Sequence, residues 1–167
     1  MKVGYLLACL LLTVVLVSFY SCSTYSETDM NPTKHPFVFH LIQEKFWQQA
    51  KATGSVYYPP TYDQDGFTHG TSNPEKLLAV ANHFYPDVAG NWLCQKMTVQ
   101  SLADTGVRTV FEGTAPVGDI QPDFVGADDE LFPHILGGIH PDAVIEVHPV
   151  ERNSDGAYLK ITGVTGN

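Results

Sequence analysis

Three observations predict an α+β domain with a largely antiparallel β-sheet system. Two stretches in the first half carry helical periodicity with recognisable start and stop residues. A series of short runs rich in β-branched and aromatic side chains follows, each bounded by turn residues. The 167 residues suffice for one real core. In chain order, residues 37–41 (Phe37, Val38, Phe39, His40, Leu41) have the content of a short strand. Residues 43–53 then read as a helix, with Phe46, Trp47 and Ala50 on one face and Gly54 as its stop. Val56, Tyr57 and Tyr58 run extended into Pro59 and Pro60, and residues 66–69 form a brief strand after the turn residues Asp63, Asp65 and Gly66. Ser72, Asn73, Pro74 and Glu75 start the second helix: a polar cap, Pro at the first helical position and an acid at the positive end of the dipole. It runs to about Phe84 with Leu77, Leu78, Ala81 and Phe84 toward the core, and Pro86 closes it. Further extended segments are predicted at 92–99, 107–112 and 143–150, and an edge strand at 157–162.

Residues 1–23 read as a signal peptide, so the protein is expected to be secreted. Lys2 supplies the positive start, residues 5–20 are broken only by Thr13 and Ser18, and Ser21 and Ser23 suit cleavage after Ser23. An uncleaved anchor is the alternative; after cleavage no stable membrane anchor would be left. Residues 24–36, polar and containing Pro32 and Pro36, read as a flexible tether, leaving 37–167 as the domain. Cleavage would leave Cys94 as the sole thiol, predicted to be buried and inert beside Trp92 and Leu93. A formal charge of −9 argues against a nucleic-acid partner, since no excess of Lys and Arg is there to displace counterions.

Between Arg108 and Arg152 there is no Lys or Arg, while nine acids occur: Glu112, Asp119, Asp123, Asp128, Asp129, Glu130, Asp142, Glu146 and Glu151. This stretch reads as a solvated acidic face, with weak Ca²⁺ binding as the sharper alternative. The spaced ligands of an EF-hand loop are missing. Three histidines sit among bulky apolar neighbours: His40, His69 and His134. A buried imidazole needs a hydrogen-bond partner and titrates near neutral pH, so three such rings suggest a shared small-ligand site. No short ligand spacing nucleates a metal centre, and organic-ligand binding ranks above metal.

Taken in order, Phe39-His40-Leu41, Pro59-Pro60, Gly66-Phe67-Thr68-His69 with Thr71-Ser72, Glu112, the run from Glu130 to Gly137 (Glu-Leu-Phe-Pro-His-Ile-Leu-Gly), and Pro141-Asp142-Ala143-Val144 resemble the domain of unknown function 952 family over residues 37–149. Thr68 and Gly70 replace the Ile and Cys usual around the second His, and Leu136 stands where an aromatic is common. The resemblance implies a fold distantly similar to the ADP-ribosyltransferase superfamily, a split β-sheet holding NAD in a cleft. By that likeness His40 matches the first-strand His, Glu112 or Glu130 is the catalytic acid, and Tyr57 and Tyr58 are stacking candidates. His40 is followed by Leu41 and Ile42 rather than by the superfamily's usual Gly and Ser or Thr.

Two functions are therefore expected. The first is a secreted domain with a cleft lined by His40, His69 and His134, with Tyr58 as a further ligand contact, that binds a small polar, nucleotide-like ligand. Glu112 or Glu130 would serve any glycosyl-type transfer. The second is an acidic, non-catalytic extracellular-matrix or mineral-associated protein. No cofactor is assigned.

Overall fold

The computed structural model describes residues 32–166. The signal peptide expected at residues 1–23, and most of the tether expected at 24–36, lie outside the described residues. Seven strands form two antiparallel sheets. The larger contains β1 (Val38–Gln43), β3 (Trp92–Met97), β6 (Glu146–Arg152) and β7 (Tyr158–Ile161), in the order β1-β3-β6-β7. The smaller contains β2 (Thr68–His69), β4 (Thr109–Glu112) and β5 (Phe132–Ile135), in the order β2-β5-β4. The helices are α1 (Glu44–Thr53), α2 (Tyr62–Asp65), α3 (Leu77–Phe84) and α4 (Val99–Asp104).

β1 reads apolar without alternation because both its faces are covered. On one side Val38 and Ile42 pack with Trp47 and Ala50 of α1, and with Tyr57, Met97, Leu102, Ile135 and Ile139. On the other, Phe39 and Leu41 meet Leu77 and Ala81 of α3, with Trp92, Cys94, Tyr158 and Ile161. Each such side chain contributes about 1.5–3 kcal/mol by leaving water, so α1 and α3 are held by the sheet more than by their own propensity. Gly54 ends α1 in the left-handed region at φ 64°, its N–H bonded to the Ala50 carbonyl. Asn73 caps the start of the second helical stretch, its side chain accepting from the Glu75 N–H; a 3₁₀ turn (Pro74–Lys76) leads into α3.

The sequence reading needs two corrections here. The extended segment at 92–99 stops at Met97, and Thr98 opens α4: its hydroxyl accepts the Ser101 N–H at 2.9 Å while Ser101 Oγ accepts the Thr98 N–H at 3.0 Å. With α4, and with α2 formed by residues 62–65 where the sequence reads as a turn, the domain has more helices than the two front ones expected. Second, Phe132–Ile135 is the central strand of the smaller sheet despite Pro133. The Pro133 carbonyl accepts from the Gly70 N–H at 2.9 Å, and the ring nitrogen has no hydrogen to return, so β2 pairs with β5 over only two residues.

The sheets meet along a seam. Phe39 in β1 and Thr71 just after β2 exchange both backbone hydrogen bonds, at 2.8 and 2.9 Å. Thr114, Ala115, Val117 and Phe124, from the segment between β4 and β5, line a hollow beside residues of both sheets.

Candidate ligand-binding site

His69 and His134 face each other across the β2/β5 ladder, so their rings share one face, with centroids 6.1 Å apart. Phe67 stacks on His134 at 4.0 Å and tilts against His69 at 4.5 Å. His40 comes from the other sheet and crosses the seam, its Nδ1–H donating to the His69 carbonyl at 2.7 Å. All three rings line one hollow of about 40 Å³, together with Thr71, Phe84, Tyr85 and Phe124. A second hollow of about 250 Å³ shares His40, Leu41, Phe84, Tyr85 and Val117 with the first, and extends past Tyr57, Pro59 and Thr61.

Each imidazole has one nitrogen engaged. His69 Nε2 lies 3.0 Å from Asp65 Oδ2, and His134 Nδ1 lies 3.1 Å from Glu112 Oε2. Asp65 is the residue sequence reasoning missed, having been read as a turn former. α2 ends at Gly66, whose φ of 80° reverses the chain and folds the Asp65 carboxylate back to the His69 ring. Its side chain is only 4% exposed, and it also accepts the Gly118 N–H at 3.0 Å. The available signal was an acid four residues before a histidine across a Gly turn.

Burial is the leading influence on all three rings and lowers each pKa. His40 falls from 6.5 to about 4, with the His69 carbonyl working against the shift. His69 and His134 are lowered too, with Asp65 and Glu112 respectively opposing the change. The rings are thus neutral at pH 7. Because the carbonyl and carboxylate oxygens can only accept, the engaged nitrogens carry the protons: Nδ1 of His40 and His134, Nε2 of His69. The opposite nitrogen of each ring keeps its lone pair. Nε2 of His40 is buried without a partner, which costs about 1–3 kcal/mol.

The remaining candidates fall elsewhere. Tyr58 is 52% exposed and borders a separate hollow with Gln49 and Ser55, its ring edge-on to Tyr62. Its neighbour Tyr57 is the one that packs near His40, at 5.7 Å between centroids. Glu130 accepts from Asn73 Nδ2 and does not line either hollow, whereas Glu112 touches the site through His134 with a side chain 65% exposed. The acids of the 108–152 stretch are dispersed: Asp119 bonds Gln64, Asp129 pairs with Lys76, and Glu146 pairs with Lys96. Among the described residues no group of three or more His, Cys, Asp or Glu is arranged to hold a metal ion.

A family model for proteins of unknown function, DUF952, matches residues 41–147. The chain belongs to the DUF952 family. The match covers all of the smaller sheet and both carboxylate–histidine pairs, and begins one residue after His40. Among solved structures, the crystal structure of CC0527 from Caulobacter crescentus is similar at a TM-score of 0.55 and 16% identity, covering 74% of this chain and 93% of that one. A double mutant of the same protein matches at 0.55 and 15% identity, with the same coverage. At such identity the likeness shows the fold alone. No curated protein matches.

Proposed function

We propose that this DUF952 domain binds a small polar ligand in the hollow at the seam between its sheets, in an arrangement similar to the ADP-ribosyltransferase-like split sheet. The observation that carries this reading is the convergence of His40, His69 and His134, from three strands of two sheets, on one hollow. Binding rather than turnover is the function assigned. The Glu112 carboxylate is largely solvated, and stabilising a developing cationic centre needs a dry, preorganised charge. On the grounds of residues 1–23 we also place the protein outside the cell; a secreted form beginning at Thr24 on N-terminal sequencing tests that placement.

Imidazole NMR of the full chain, titrated with adenosine, nicotinamide, NAD, ADP-ribose and CaCl₂, tests the binding reading. Saturable shifts at His40 and His134 with an organic probe, lost in His40→Asn, are expected. Heat on Ca²⁺ addition with no organic probe moving either ring would instead favour the acidic-surface reading.

A further inference from the structure

Among the described residues, no Lys, Arg, Asp or Glu side chain lines either hollow. Their walls are aromatic and aliphatic, including Phe39, Phe84, Tyr85, Phe132, Tyr57 and Trp92. The charges nearest the rings are the carboxylates of Asp65 and Glu112, both behind the imidazoles. A phosphate placed here would give up water with no cation to receive it, against a background of like charge.

The imidazoles add a polarity of their own. With each ring's proton committed to an oxygen of the protein, the nitrogens left over are acceptors; His40 Nε2 is closed off by the fold, which leaves Nδ1 of His69 and Nε2 of His134 beside the hollow. An acceptor in an apolar pocket selects a ligand that brings a hydrogen, and rejects one that presents another lone pair. Size narrows the choice. The His-lined hollow, about 40 Å³, takes the edge of a ring, while the adjoining one, about 250 Å³, takes its body, and His40 borders both. Together they fall just short of the usual range of small-molecule pockets, roughly 300–1,000 Å³, and well short of what a whole dinucleotide fills.

Resting on the binding reading above, we infer that the ligand is an uncharged, planar heterocycle with N–H or O–H donors, a nucleobase or nucleoside, and that the phosphorylated form is excluded. The donor edge meets the unengaged nitrogens of His69 and His134 while the ring lies past His40, among Tyr57, Phe84 and Tyr85. This departs from a nucleotide or NAD occupant: here the phosphate is the group the site turns away.

The test is a calorimetric titration of the full chain with the four common ribonucleosides, their free bases and their 5′-monophosphates. A nucleoside or base that binds at least tenfold more tightly than the matching monophosphate is the expected result. That binding should fall at least tenfold in both His69→Phe and His134→Phe, each confirmed folded by its amide spectrum. A monophosphate that binds as tightly as its nucleoside overturns the inference and leaves the binding site standing. No binding by any probe, with unmoved imidazole signals, overturns the site as well.

Discussion

His40 should make this fold acid-sensitive in a defined window. In the unfolded chain its imidazole titrates at 6.5; in the fold burial lowers that to about 4. Between those values the unfolded state holds a proton that the folded state refuses, so stability is full above pH 6.5 and declines as pH falls toward 4. At about 1.4 kcal/mol per pH unit the complete loss is about 3 kcal/mol, of which about 2 kcal/mol falls between pH 7 and 5, before most carboxylates titrate. His69 and His134 add to the slope with the same sign, since their pKa values are lowered too. Tyr57 beside the ring and Gln95, its partner across the β1/β3 ladder, carry no charge in this range. The variant His40→Asn isolates the effect: its amide can still donate to the His69 carbonyl and does not titrate. Urea unfolding followed by the fluorescence of buried Trp47 and Trp92, repeated from pH 7 to 5, gives both stabilities. The wild type should lose about 2 kcal/mol relative to the variant. Two curves that stay parallel across that range would show that His40 is not held neutral by burial.

Other consequences follow from close contacts and buried groups. Gly138→Ala places a Cβ 2.4 Å from the Tyr57 carbonyl oxygen, a backbone atom that cannot yield, and should destabilise by roughly 1–3 kcal/mol in urea unfolding. Cys94 is buried with its thiol pushed up to about 12, so a thiol reagent at pH 8 should leave the native protein unlabelled and react promptly in denaturant. Asp65→Asn removes the carboxylate that holds the His69 pKa up, so the imidazole titration of His69 should move further down; an unchanged value would place Asp65 outside its influence.

Much of the local structure was legible in residues of strong local chemistry. Gly54 ended α1 where a left-handed residue was needed, Asn73 and Pro74 marked the second helical start, and the last strand lies at a sheet edge as the turn before it suggested. Three elements escaped. α2 is a single helical turn, and its Asp63 and Asp65, with Gly66, read as turn residues. α4 is six residues long, too short for a periodic signal, and its capping pair Thr98 and Ser101 was the only cue. β5 carries Pro133, which from sequence demotes a strand; it is central here because its missing N–H falls where β2 has already run out.

At the site, the sequence by itself singled out three histidines in apolar company, and the structure brings all three to one hollow. Which carboxylate stands behind which ring was decided only by the tertiary structure. Asp65 reaches His69 through a chain reversal, Glu112 reaches His134 through the β4/β5 register, and His40 bonds a carbonyl in the other sheet. Likewise Tyr57 and Tyr58 differ by one residue, and in an extended segment that difference puts them on opposite sides. The Tyr57/Ile139 bridge turns the first toward His40 and the second toward water. Composition and local pattern act over a few residues, whereas a pocket is assembled by strand register between distant segments, and register is a property of the packed whole.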